Sequence, residues 1–234
     1  MTAARRRSSF YWGMRVLPEP RRGAMFALYD LARAIDDAAD GDGTRDEKRA
    51  RLDFWRADVA RLYAGAPQAP ETRAIAPYVA MFDLPRAEFD ALIDGQEMDL
   101  DPAPFDEARL VLYCRRVAGT IGVLTLAILG VKADAYAVAL GEAFQRINIL
   151  RDIDEDRARG RGYVPAGTVD FAAAARAKLA EAEALRAGLD ARALRPALVM
   201  TELYRALLAR VEVGGRLTRF DKFRAVIRGL WAGR

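Results

Sequence analysis

Two stretches of the chain place carboxylates one helical turn apart on faces that are otherwise largely apolar, a pattern suited to a hard divalent cation. The first is Arg33-Ala34-Ile35-Asp36-Asp37-Ala38-Ala39-Asp40. Asp36 and Asp40, at i and i+4, project from one side of a helix. At helical spacing they share an arc of about 100° with Met25, Tyr29, Ala32 and Arg33. Two acids continuing such a stripe repel each other and lose hydration, costs that a bound divalent cation removes. The second stretch runs from Gln145 to Asp156. Gln145, Asn148, Asp152 and Asp156 fall within about 80° of one another on a helical wheel. Most of the surrounding surface is Ala143, Phe144, Ile147, Ile149, Leu150 and Ile153. A helix apolar over most of its girth belongs in a core, where a narrow stripe of amide and carboxylate oxygens suits oxygen ligation.

A solvated acidic face would account for either pair alone. Two pairs, each aligned with a core stripe and each with an arginine beside it (Arg33, Arg151), favour a site. Composition narrows the chemistry further: there is no histidine and one cysteine, Cys114. Histidine-based triads, histidine general bases and Cys/His zinc sites are therefore excluded. Carboxylates, tyrosine, lysine, arginine or a hard metal must do the work. A lone cysteine forms no internal disulfide, which fits a reducing cytoplasm. Asp40-Gly41-Asp42-Gly43 lacks the third ligand and closing Glu of a calcium loop. With no GxxxxGK[ST] or GxGxxG run, phosphate would be held by metal and arginine.

The elements that must position these groups read as helices. The 234 residues are 52% hydrophobic and 30% charged, with a mean hydropathy of −0.08, the profile of a soluble globular protein with a sizeable core. Helical periodicity dominates and nothing alternates at period two. Breaks fall at Pro18 to Pro20, Gly41 to Thr44, Gly65 to Pro70, Leu84-Pro85, Asp101 to Pro104, Gly130, Gly160 to Gly167, Gly188 to Pro196 and Gly214-Gly215. The economical reading is one all-α domain over 1–234, about eight helices. In the segment Glu107 to Leu129, Tyr113, Val117, Thr120 and Leu124 share a face, while Ala118, Gly119 and Gly122 leave side-chain space unfilled. That space suits either tight helix contact or an apolar ligand chain against bare backbone. The longest uncharged run, Val117 to Val131, is 15 residues, against about 20 needed to span a bilayer. No N-terminal signal peptide is expected.

The net charge is +4, and the excess lies largely at the ends. Arg216, Arg219, Lys222, Arg224, Arg228 and Arg234 are interleaved with Leu217, Phe220, Phe223, Ile227, Leu230 and Trp231. This basic amphipathic tail reads either as an ordinary solvated helix or as a dock on an anionic membrane, on the inner face of the cell membrane. Nucleic acid is not an expected partner, because Arg157, Arg159 and Arg161 sit beside Asp154, Glu155 and Asp156.

Several blocks together resemble the squalene and phytoene synthase family of head-to-head prenyltransferases. They are Ser8-Ser9-Phe10-Tyr11-Trp12, Met25 to Tyr29 with Arg33 to Asp40, Ile93-Asp94-Gly95-Gln96-Glu97-Met98-Asp99, Tyr113 to Gly122, and Asn148 to Asp156 followed by Gly160-Arg161-Gly162-Tyr163-Val164-Pro165. The first and third look most like bacterial presqualene diphosphate synthases of hopanoid pathways; phytoene synthases carry similar versions. The resemblance implies an all-α helical bundle of the isoprenoid synthase type with a central apolar cavity. It implies two or three Mg²⁺ ions held with a prenyl diphosphate substrate by Asp36, Asp40, Asp152 and Asp156, with Gln145 and Asn148 beside the second pair. Arg33 and Arg151 would contact diphosphate and Tyr113 would lie near a cyclopropyl intermediate. Ser9, Phe10, Tyr29 and Tyr204 match pocket positions, and Val117 and Gly119 would meet substrate. The implied reaction joins two farnesyl diphosphates into presqualene diphosphate; phytoene, dehydrosqualene or squalene are alternative products, and a non-catalytic assembly protein is the alternative of another class. Departures are Gln96 where Met is usual, Gly162 where a larger apolar residue is common, and an apparent shortening after about residue 165.

Overall fold

Proline, glycine and short polar caps set the helix limits in the computed structural model, which describes residues 14, 15 and 17–233. Helix α1 (Arg21–Asp40) follows Pro20 and stops at Gly41. Helix α2 (Arg45–Tyr63) opens on a capping box in which Thr44 and Glu47 satisfy each other's backbone N–H groups. Prolines begin α3 (Pro70–Met81) and precede α4 (Arg86–Met98). The next helix, α5 (Glu107–Leu129), is capped by Asp106 and released by Gly130 at φ 78°. Then come α6 (Asp134–Ala158), α7 (Phe171–Leu185), α8 (Arg195–Val211) and α9 (Arg219–Ala232). Nine helices and no strand are present among the described residues, one more than the punctuation count suggests.

Helix α1 packs on α2, α3, α4 and α5, while α6 packs against α5, α7 and α8. The main core fills the space between these layers, with Leu28, Leu31, Ile35, Ile93, Leu124 and Ile147 at most 1% exposed. Helix α6 also buries charge: Arg146 Nε donates to Glu142 at 3.0 Å, Glu107 takes a second bond from Arg146, and Lys178 of α7 reaches Glu142 at 3.2 Å. These contacts tie α5, α6 and α7 together. A buried arginine left without such partners would be strongly destabilising.

Helix α5 is not regular. Residues Arg115–Gly119 form a π turn, which widens the helix by one residue. The face read as Tyr113, Val117, Thr120 and Leu124 is therefore interrupted. Val117, Ala118, Ile121, Gly122 and Thr125 face the cavity, whereas Leu124 is fully buried in the core and Thr120 donates its hydroxyl to the Arg116 carbonyl at 2.6 Å. Gly122 serves the helix contact as well as lining the cavity. A Cβ on Gly122 would stand 2.6 Å from the Ala137 carbonyl oxygen, and one on Gly141 would stand 2.7 Å from Ala118 and Gly119 backbone atoms. Contrary to the expectation from uncharged runs, α5 is long and apolar enough to cross a membrane, with 23 residues and a hydropathy of 1.5. Here it packs on α4 and α6 as a core helix.

Candidate functional site

A cavity of about 470 Å³ opens between α1, α5, α6 and α8. From α1, the stripe of Met25, Tyr29, Ala32, Arg33 and Asp36 lines it; from α6, Phe144, Gln145, Asn148 and Arg151 do so. Val117 and Tyr204 also line it. Tyr204 is buried, stacks on Phe144 with ring centroids 4.0 Å apart and donates to Asn148 Oδ1 at 3.2 Å. Asn148 in turn donates to Gln145 Oε1 at 3.4 Å. This chain of bonds fixes the amide end of the α6 stripe.

Every candidate carboxylate has a neighbouring charge, arginine or acid. Arg33 spans Asp36 and Asp37, at 2.9 Å to each, and Arg151 clasps Asp152 through both carboxylate oxygens, the Nε bond being 2.7 Å. Arg161, in the segment after α6, reaches back across 121 residues to donate to Asp40 at 2.7 Å. Its charge also lowers both Asp36 and Asp156, so one guanidinium acts on the two acidic motifs at once. Burial first, and then the Asp40 charge, nevertheless lift Asp36 to about 6. Burial and the Asp152 charge raise Asp156. Asp40, Asp152 and Asp156 lie outside the lining of the first cavity, partly open to solvent.

This donor set suits a hard cation with an incomplete protein shell. Among the described residues no three acidic side chains converge on one point. Mg²⁺ does not require that, since it keeps several waters and is commonly held by one or two carboxylates together with substrate phosphate oxygens. Burial first, and a neighbouring acid second, raise Asp36 and Asp156, and a bound cation would offset both costs.

Two expected site residues are placed elsewhere. Gly119 is buried in the α5–α6 contact and does not line the cavity. Tyr113 belongs to a second apolar cluster with Phe105, Leu110, Cys114, Ile149, Tyr163 and Phe171. Its hydroxyl donates to Asp99 Oδ2 at 3.1 Å while Tyr163 donates to Oδ1 at 2.7 Å, and the two rings stack 5.0 Å apart. Ser9 and Phe10 lie outside the described residues. In return, the structure adds residues that spacing could not pair. Asp99, Arg161 and Tyr163 line a second, more polar cavity of about 980 Å³, which shares Arg33 with the first and contains Asp40. Burial lifts Asp99 to about 6 despite its two tyrosine donors. Gln96, 5% exposed, lines the first cavity and donates to Asp36 Oδ1 at 3.3 Å. Sequence quoted all four inside the resembling blocks, but their partners are 14 to 121 residues away.

The profile of the squalene/phytoene synthase family matches residues 3–170. The chain belongs to that family. The presqualene diphosphate synthase of Rhodopseudomonas palustris is 49% identical over 164 residues, which cover 68% of this chain and 58% of that protein. The phytoene synthase of Thermus thermophilus is 37% identical over 208 residues, covering 88% and 65% respectively. The aligned part of this synthase-family chain spans 56–61% of the length of three presqualene diphosphate synthases it matches. In three dimensions it is similar to a dehydrosqualene synthase solved with ligand, with a TM-score of 0.83 and 23% identity over 94% of this chain and 90% of the other. The shared fold is that of the isoprenoid synthases.

Proposed function

We propose that this family member joins two farnesyl diphosphates head to head, with Mg²⁺, to give presqualene diphosphate, one released diphosphate and a proton. The observation that carries the reading is the two-sided cavity. Met25, Leu92, Ile121, Leu140 and Met200 offer an apolar surface for a prenyl chain, and Arg33, Asp36, Asn148 and Arg151 border it with groups suited to a diphosphate and its cation. Asp36 with Asp40 and Asp152 with Asp156 would hold the metal. When bound, Mg²⁺ supplies charge neutralisation on the departing diphosphate, as a Lewis acid and template.

The remaining tasks fall to the chain itself. Arg33 and Arg151 offer planar guanidinium groups to phosphate oxygens, from helices on two sides of the cavity. The helical walls keep water from the allylic cation that ionisation leaves. Tyr29, Phe144 and Tyr204 line the cavity, and an aromatic face turned to that cation would stabilise it by about 0.5–2 kcal/mol. The double bond of the second farnesyl group attacks, and loss of a proton closes the cyclopropane. The departing diphosphate or a tyrosine accepts that proton.

A second reading, condensation of geranylgeranyl diphosphate to phytoene, draws support from the Thermus thermophilus relative, whose match covers more of the chain than those of the presqualene diphosphate synthases. Turnover of radiolabelled farnesyl and geranylgeranyl diphosphates, with and without Mg²⁺, separates the two. The expected result is a Mg²⁺-dependent thirty-carbon diphosphate. A hydrocarbon formed without reductant, or exclusive use of the twenty-carbon substrate, overturns the presqualene assignment. Asp152→Asn should leave the fold intact and lower kcat by about 10²–10³-fold, the scale expected when one electrostatic contact to the transition state is lost. Unchanged turnover and Mg²⁺ affinity in that variant would remove Asp152 from the metal site, and no turnover of either substrate by the wild-type chain would favour an assembly role for the family fold.

A further inference from the structure

Helix α9 turns its large apolar side chains away from the protein. Phe220, Phe223, Ile227 and Trp231 follow at i, i+3, i+7 and i+11, within an arc of about 80°, and are 66%, 64%, 40% and 64% exposed. The opposite face docks on α8 through small residues. Ala225 and Gly229 are buried, and a Cβ on Gly229 would lie 2.4 Å from the Val199 Cα. Only a face without side chains can approach α8 so closely, so the bulky residues are on the outside by construction.

The helix is held firmly in this orientation. Thr218 and Asp221 form a capping box, and Arg210 of α8 grips both Asp221 oxygens at 2.9 Å. Asp221 is the one acidic residue of α9, and these bonds engage it fully. The exposed stripe is flanked by Arg219 on one side and by Arg224 and Arg228 on the other, with the Arg224 guanidinium 5.6 Å from the Phe220 ring. Three exposed aromatics and an isoleucine on one face form a patch of the kind that marks an interaction site. Their arginine border selects what that partner is. A second copy of the chain would set arginine against arginine, whereas an anionic lipid surface accepts both the rings and the charges.

We infer that α9 is a peripheral docking surface for an anionic bilayer, with Phe220, Phe223, Ile227 and Trp231 in the headgroup region and Arg219, Arg224 and Arg228 on lipid phosphates. Helix α8, on which α9 lies, contributes Pro196, Ala197, Met200 and Tyr204 to the cavity wall. A docked membrane is therefore one helix away from the apolar cavity. The inference rests on the α9 surface and does not need the proposed reaction.

Flotation of the full chain with lipid vesicles, in the absence of prenyl substrate, tests it. Binding is expected on phosphatidylglycerol-rich vesicles and should be at least about tenfold weaker on pure phosphatidylcholine. The double variants Phe223→Ser/Ile227→Ser and Arg224→Glu/Arg228→Glu should each lose about tenfold or more in binding while keeping the wild-type melting temperature. No flotation with anionic vesicles overturns the inference, as does undiminished binding in both variants. A dimer by analytical ultracentrifugation that Phe223→Ser/Ile227→Ser abolishes, without vesicle binding, would assign the face to a second copy instead. Because binding is read without turnover, an inactive protein that floats and an active one that does not are distinct results.

Discussion

Replacing Gly141 by alanine tests how tightly α5 and α6 are set against each other. The new Cβ would stand 2.7 Å from the Ala118 carbonyl carbon and oxygen and from the Gly119 nitrogen. These are backbone atoms of the π turn, which cannot swing aside as a side chain can. The helices would have to part by about 0.7 Å or more to reach ordinary contact. Overpacking of this kind costs about 1–3 kcal/mol, and the gain in helix propensity returns about 1 kcal/mol. Because the clash is with three backbone atoms, the upper part of that cost, about 2–3 kcal/mol, applies, and the net loss of about 1–2 kcal/mol lowers the melting temperature of a chain this size by roughly 2–8 °C. The same shift moves Gln145, Asn148 and Arg151 relative to Arg33 and Asp36, so turnover should fall about tenfold or more. Calorimetry on Gly141→Ala and Gly162→Ala, followed by kinetics, is the assay. Gly162 has nothing within 4 Å of its Cβ position, so its variant should keep the wild-type melting temperature. A Gly141→Ala protein as stable as the wild type would refute the close-packed account.

Two further changes probe the acids. Asp99 holds its proton more tightly folded than unfolded, at about 6 against 3.8, so stability should fall as pH rises through that window, by at most about 3 kcal/mol. Asp99→Asn removes this slope; a melting-temperature difference between variant and wild type that stays constant from about pH 4 to 7 would contradict the burial argument. Gln96→Met deletes the amide that donates to Asp36, a contact worth about 1 kcal/mol. The Mg²⁺ concentration for half-maximal turnover should rise about fivefold, and an unchanged Mg²⁺ titration would show that the contact does not tune the acid.

The α1 stripe was legible because it is local. Met25, Tyr29, Ala32, Arg33 and Asp36 need only a regular helix to share a face, and they line the cavity together. The helix limits were equally local, since glycine, proline and capping residues act on their own backbone. Asp99, Tyr113, Tyr163 and Arg161 were not legible as a group. Their bonds join the ends of α1 and α4, helix α5 and the segment after α6, and no periodicity encodes which distant residue meets which. Gly119 was ambiguous for a related reason: unfilled space on a helix is the same signal whether a ligand or another backbone fills it, and here the Cβ positions of Gly122 and Gly141 meet backbone across the α5–α6 contact.

The π turn of α5 has a bearing on how this helix tolerates changes in length. Because Arg115–Gly119 absorbs an extra residue within one turn, the segments on either side are phased as though the helix were one residue shorter. Loss of a single residue inside that turn would restore an unbroken α ladder while leaving Tyr113 aimed at Asp99 and Ile121 and Thr125 aimed at the cavity. The same loss anywhere else in α5 would rotate everything beyond it by about 100° and turn one wall of the cavity outward. The wide turn is thus the one place where α5 can shorten without the acid cluster and the apolar wall losing their alignment.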